Sequence, residues 1–131
     1  MKLEKNKLLI CCDGGGASGK TTGAKLIAKK YKLNFLSSGN LYRFASYKIL
    51  KNRPSNEISY LKKIFKKFKV SQIKTNKNLH SPIISEHTSL IAKKLKIRKI
   101  LKDIQIKFVK SNRKSVLEGR DTAQILPAAD I

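Results

Sequence analysis

Leu8-Leu9-Ile10-Cys11-Cys12-Asp13-Gly14-Gly15-Gly16-Ala17-Ser18-Gly19-Lys20-Thr21-Thr22 joins an apolar run to a glycine-rich loop. Within it Gly14, Gly19, Lys20 and Thr21 satisfy the spacing G-x-x-x-x-G-K-[ST] of a phosphate-cradling P-loop. The apolar run reads as a buried parallel strand, and the residues after the loop read as a helix with Ala24, Leu26, Ile27, Ala28 and Tyr31 on its apolar face. Strand, loop and helix in this order are the context that the motif requires. The plainer alternative is a glycine-rich turn that only joins a strand to a helix.

The spacing has a physical reason. A polyphosphate needs many donors at once, and consecutive backbone N–H groups ending at a helix N-terminus supply them together with the positive end of the helix dipole. Gly14, Gly15, Gly16, Ala17, Ser18 and Gly19 therefore read as the cradle, continued by Lys20, Thr21 and Thr22 at the helix start. Glycine suits places where the backbone approaches a phosphate closely or turns to positive φ. Lys20 adds a point charge reaching the β- and γ-phosphates, and the Thr21 hydroxyl is the expected ligand of the Mg²⁺ that accompanies ATP.

Composition bounds the remaining classes. With 131 residues the chain is expected to form a single domain over 1–131, long enough to bury about two-thirds of its unfolded surface. Its apolar content of 40% and charged content of 29% are those of a globular protein. No apolar run approaches the ~20 residues of a membrane span, and the run after the basic start is too short for a signal peptide, so no membrane association is expected. The adjacent Cys11 and Cys12 point to opposite faces of a strand, cannot easily bridge, and read as small buried residues in a reducing, cytoplasmic setting. Thirty Lys and Arg against eight Asp and Glu give a net charge of +22. The basic residues are spread along the whole chain and read mostly as solvated helix faces, so nucleic acid is not the expected partner.

Further along, Lys32–Leu36 reads as a second strand broken by Ser37-Ser38-Gly39. A helix follows from about Asn40 to Lys51, with Leu41, Phe44, Ala45 and Ile49 inward, and Arg53-Pro54-Ser55 ends it. Asn56–Phe68 has Ile58, Leu61, Ile64, Phe65 and Phe68 at helical spacing and Glu57 in its first turn. Lys69–Lys74 alternates at period two and predicts a short strand. Ser81-Pro82 predicts an N-cap and first helical residue, opening a helix with Ile83, Ile84, Leu90 and Ile91 that runs to about Lys94. An amphipathic helix carries Ile97, Ile100, Leu101, Ile104 and Phe108 before the polar break Ser111-Asn112-Arg113. Ser115–Glu118 predicts a strand, which places Gly119-Arg120-Asp121 at its C-terminal end, where open parallel sheets bind ligands. His80 and His87 lack partners at metal-ligand spacing and read as structural or exposed.

These segments together resemble the N-terminal part of the bacterial cytidylate kinases, P-loop nucleoside-monophosphate kinases that phosphorylate CMP and dCMP from ATP. The loop Asp13-Gly14 through Lys20-Thr21-Thr22 is similar to the family's D-G-P-S-G-S-G-K-G/S-T. Leu36-Ser37-Ser38-Gly39-Asn40-Leu41-Tyr42-Arg43 resembles L-D-T/S-G-x-x-Y-R, and Leu79-His80-Ser81-Pro82 on to Ser89 and Arg98 resembles I-R-T…S…V-R. Glu118-Gly119-Arg120-Asp121 resembles D-G-R-D.

The resemblance implies an α/β fold, a P-loop parallel sheet flanked by helices, and (d)CMP kinase activity with ATP and Mg²⁺ in a cytoplasmic, monomeric enzyme. It implies that Lys20, Arg43, Arg120 and Asp121 are catalytic, with Arg43 and Arg120 holding the CMP phosphate by the bidentate grip that guanidinium makes well. Ser89, Arg98 and Asp121 would read the cytosine edge, and Ser38 would lie beside the nucleotide. Departures are visible: Ser37 stands where the family has Asp, His80 where it has Arg, and the substrate-binding insert, placed at residues 55–81, is reduced. In the family a segment like Ala129-Asp130-Ile131 continues into another core strand, an arginine-bearing lid and the last helices, so the resemblance covers only the front part of the family's fold. Adenylate kinase-like activity is the alternative enzyme reading, disfavoured by Tyr42-Arg43 and Gly119-Arg120-Asp121. A non-catalytic nucleotide- or RNA-binding piece is the alternative outside enzymes.

Overall fold

In a computed structural model the structure describes residues 8–13 and 20–119, the side chains of Lys20 and Thr21 apart. The elements run β1 (Leu8–Asp13), α1 (Lys20–Tyr31), β2 (Asn34–Ser37), α2 (Ser38–Asn52), α3 (Glu57–Phe65), α4 (Ser71–Lys74), α5 (Pro82–Ile91), α6 (Leu95–Ser111) and β3 (Lys114–Gly119). The chain divides into two compact units, one of residues 1–39 with 105–131 and one of Asn40–Ile104.

The first unit is built on a three-stranded sheet in the order β1-β3-β2, with both pairings parallel. Ile10 on β1, Val116 on β3 and Phe35 on β2 are register partners and form one row across the sheet. That row packs with Ala24, Ala28 and Leu33 in one apolar cluster, joined by the half-buried Leu8, Cys12 and Ile27. The opposite face carries Leu9, Leu36 and Leu117, buried as well. A sheet covered on both faces gives strands that are apolar at nearly every position, which is why the three strands read as continuous runs.

The expected face of α1 is corrected. Ala24 and Ala28, one turn apart, make its contact with the sheet, whereas Leu26 and Tyr31 are 63% and 57% exposed. Small residues let the helix approach the strands closely, so the alanine pair and not the larger side chains sets the contact. At the end of α1 the Leu33 N–H reaches the Ala28 carbonyl (2.8 Å) and the Lys32 N–H reaches that of Lys29 (3.4 Å), the pairing of a Schellman cap. Lys32 holds the positive φ of 55° that this cap requires, a place where glycine is the usual residue. Leu33 and Ala28 meet in the core cluster, so the turn into β2 is closed by an apolar contact.

The second unit is helical. Leu41, Phe44, Ala45 and Ile49 of α2 are buried as the spacing predicts, with Leu61, Phe65, Ile73, Leu79, Ile84, Ile91, Ile97 and Leu101. Phe44, Phe65 and Phe68 form a triangle of rings with centroids 6.1, 5.3 and 5.1 Å apart, geometries that aromatic quadrupoles favour. Asn56 caps α3 by accepting from the Ser59 N–H at 3.0 Å, and Ser81 caps α5 by accepting from the Ile84 N–H at 3.3 Å. Glu57 in the first turn of α3 also pairs with Lys94 at 2.7 Å.

Three expectations in this unit are corrected. Lys69–Lys74 is no strand: Ser71–Lys74 forms the short helix α4. Local bonds decide this, because the Gln72 carboxamide accepts from the Lys69 N–H (3.0 Å) and the Thr75 hydroxyl donates to the Ser71 carbonyl (3.0 Å), satisfying the backbone without a partner strand. On α5 the buried residues are Ile84 and Ile91, while Ile83 and Leu90 are 71% and 56% exposed. That helix ends at Ile91 and not near Lys94. Among the described residues no helix is long and apolar enough to cross a membrane.

Leu117 is fully buried in the central strand, so Leu117→Ala should lower unfolding stability in urea by about 2–5 kcal/mol. Leu26→Ala, at a position the periodicity had placed in the core, should change it by less than about 0.5 kcal/mol.

Candidate active site

Register fixes where the strands end. Asp13 pairs with Gly119, and Glu118 pairs with both Cys12 and Ser37, so all three strands finish at one edge of the sheet. The glycine-rich segment follows Asp13 in sequence, and α1 begins at Lys20. The first-turn N–H groups of α1 lack intrahelical acceptors and carry the positive end of the dipole. Gly14, Gly15, Gly16, Ala17, Ser18, Gly19, Arg120 and Asp121 lie outside the described residues, and of Lys20 and Thr21 only the backbone is described. Thr22 is exposed on the first turn of α1. Ser38 is buried and opens α2 at the same edge, directly after β2.

One residue of this edge carries no role in the sequence reading. Glu118 is 3% exposed, in register with Cys12 and Ser37 and on the sheet face that carries Val116. Burial first, then the negative charges of Glu118 and Asp13, push the Cys12 thiol above its ordinary value. Its signal in the sequence is a carboxylate closing the apolar run Ser115-Val116-Leu117. Asp13 and Glu118 thus bring two carboxylates to the C-terminal ends of β1 and β3, oxygen donors of the kind that hard divalent cations take. Among the described residues no group of three or more His, Cys, Asp or Glu gathers as a metal cluster.

The second unit places other expected residues around two neighbours on α2. Arg43 donates from Nη1 to the Ser85 hydroxyl (2.6 Å) and to the Leu79 carbonyl (3.1 Å). Ser89, one turn further along α5, is exposed and donates to the Ser85 carbonyl at 3.3 Å. Arg98 on α6 hydrogen-bonds the Tyr42 hydroxyl. Next along α2, the buried Ser46 bonds His87 Nδ1 at 2.6 Å, which makes His87 structural, while His80 is exposed. Arg43 and Ser89 are thus joined through Ser85, and Arg98 is tied to the residue beside Arg43. The sequence reading gives Ser85 and Tyr42 no supporting role, although Ser85 lies four residues before Ser89 and so on the same helix face.

Both guanidinium groups meet neutral oxygens, a hydroxyl, a carbonyl and a phenol, so no carboxylate offsets their charge at these contacts. Such cations suit an anionic ligand. A separate open cleft of about 500 Å³, bordered by Lys48, Lys51, Lys77, Asn76 and Asn78, includes none of the expected residues.

Burial raises the Tyr42 hydroxyl above the ordinary phenol value, against a smaller lowering by the charge and hydrogen bond of Arg98. Between the ordinary value of about 10 and the raised one, the unfolded chain has released this proton and the folded chain has kept it, so stability falls as pH rises. Denaturation midpoints measured through this alkaline window should fall more steeply for the unaltered chain than for Tyr42→Phe.

Comparison with known proteins places the chain. The sequence model of the cytidylate kinase family matches residues 10–131. A cytidylate kinase of Mesomycoplasma hyopneumoniae (strain 7448) is 33% identical over 143 residues, covering 95% of this chain and 60% of that protein. One of Clostridium tetani (strain Massachusetts / E88) is 32% identical, covering 92% of this chain and 57% of that protein. A probable cytidylate kinase of Vairimorpha ceranae (strain BRL01) is 36% identical, covering 93% and 62%. The chain therefore spans about 60% of the length of the curated relatives it matches. With a family match over nearly its whole length and the phosphate-loop context of strand and helix in place, the chain belongs to the cytidylate kinase family.

Proposed function

We propose that this chain carries the donor- and acceptor-phosphate machinery of an ATP:(d)CMP phosphotransferase. The observation that supports this most is the parallel register of β1 and β3, which brings the strand ends before Gly14 and Arg120 to neighbouring positions. A loop for the donor phosphates and an arginine for the acceptor phosphate would then leave one sheet edge side by side. The whole of residues 1–131 acts as one kinase domain on this reading, with 55–81 as the reduced insert on the nucleoside-monophosphate side.

The backbone N–H groups of residues 14–22 hold the phosphates of Mg-ATP, with Lys20 as the point charge on the β- and γ-phosphates and Thr21 as a Mg²⁺ ligand. The Mg²⁺ lowers repulsion between the donor and acceptor anions when bound. Arg43 and Arg120 grip the acceptor phosphate and hold its oxygen in line with the γ-phosphorus. The oxygen–phosphorus bond to the acceptor forms as the bond to the ADP oxygen breaks, and the γ-phosphoryl group passes to CMP. Arg98, Ser89 and Asp121 contact the cytosine edge, where a carboxylate accepts from an exocyclic amine, and Ser38 borders the nucleotide. The enzyme works on free nucleotides in the cytoplasm as a monomer, within pyrimidine nucleotide metabolism, and neither nucleic acid nor membrane is its partner.

The test is ADP formation from Mg-ATP with CMP, dCMP, UMP and AMP offered separately. Turnover should favour CMP or dCMP and should fall by at least about a hundredfold in Lys20→Ala, the scale of one lost transition-state contact. Preference for AMP, or turnover that persists in the variant, would overturn the assignment.

A further inference from the structure

We infer that Ser85 is a positioning residue, whose hydroxyl together with the Leu79 carbonyl locks the Arg43 guanidinium so that its Nε–Nη2 edge faces the acceptor phosphate. The inference rests on the proposed function and goes one step beyond it, to what holds the phosphate-binding arginine in place.

Guanidinium offers five N–H donors in a rigid planar fork. Nη1 carries two of them and meets two acceptors, Ser85 Oγ at 2.6 Å and Leu79 O at 3.1 Å. One acceptor would leave the plane free to turn about that bond, whereas two acceptors from different segments define its orientation. With Nη1 occupied, the parallel pair Nε–H and Nη2–H remains, the pair that binds a phosphate bidentately. A long arginine side chain otherwise loses rotamer freedom when a ligand fixes it. The anchor places that cost in folding, so binding does not bear it.

The supports come from elsewhere in the chain. Ser85 is 42 residues and Leu79 36 residues from Arg43. Ser85 is half-buried in α5, held by the helix that Ser81 caps, and Leu79 is 2% exposed. Neither is a loose surface group. Hydroxyl to guanidinium at 2.6 Å is also short for its type, as charge-assisted bonds are.

A bond that only tied α2 to α5 would act on folding and not on one moiety of the ligand, and this separates the two roles. Affinities for CMP and for cytidine would be measured by calorimetry on the unaltered chain and on Ser85→Ala, Ser85→Thr and Arg43→Ala, with thermal midpoints recorded for each. Ser85→Ala should weaken CMP binding about tenfold, the scale of one hydrogen bond to a charged group, while cytidine affinity stays within about twofold. Ser85→Thr, which keeps the hydroxyl, should restore CMP affinity to within about threefold. Arg43→Ala should abolish the preference for CMP over cytidine. Equal loss of both ligands in Ser85→Ala, or no loss of either, would overturn the positioning role. If Arg43→Ala loses the preference and Ser85→Ala keeps it, the function stands and only this inference falls. If the unaltered chain does not prefer CMP to cytidine, both fall.

Discussion

The pairing of β3 between β1 and β2 is the constraint from which the rest follows. Parallel neighbours cannot be joined by a hairpin, so each pairing demands a crossover of a dozen residues or more. The segment from Ser38 to Arg113, with five of the helices, lies between β2 and β3 in the chain because β3 must return parallel to both partners. The same pairing puts a middle strand in place whose residues Ser115–Gly119 are all buried, and that strand carries the carboxylate Glu118 at the rim. Parallel register also makes all three C-terminal ends coincide, so the segments that begin at Gly14 and Arg120, far apart in sequence, follow adjacent residues.

Charge gives the second theme. A chain of +22 has cations everywhere, and most of them are exposed lysines whose interactions water screens. Arg43 differs because it is half-buried and its geometry is fixed by two neutral acceptors, which hold the group without cancelling its charge. At the sheet edge the balance is reversed, with Asp13 and Glu118 at the strand ends beside Cys12. An anion bound there would need positive charge from elsewhere, and the N-terminal end of the α1 dipole is one source of it.

Much of this was legible in the sequence, and the exceptions have physical reasons. The strands were readable because burial on both faces makes them uniformly apolar, and α2 because its inward positions repeat at helical spacing. The Ser81 cap was readable from side-chain chemistry, a hydroxyl directly before proline. Leu26, Tyr31, Ile83 and Leu90 misled because apolar character alone does not tell which side of a helix meets a neighbour when large residues occur on both sides. Lys69–Lys74 misled because six alternating residues carry no information about whether a partner strand exists. The cap at Lys32 was invisible because no glycine marks it. At the candidate site, resemblance to the family's motifs pointed to Arg43, Ser89 and Arg98, but their neighbours Ser85 and Tyr42 depend on contacts between helices that no local pattern encodes.

The central claim is that donor and acceptor nucleotides bind at separate, predictable segments of the chain. Hydrogen exchange of the chain with Mg-ATP and with CMP, each added alone, tests it most directly. The account predicts that Mg-ATP slows exchange at residues 13–22 and that CMP slows it at 38–43, 79–98 and 119–121. Protection by Mg-ATP confined to 40–104, or the same segments protected by both nucleotides, would contradict it.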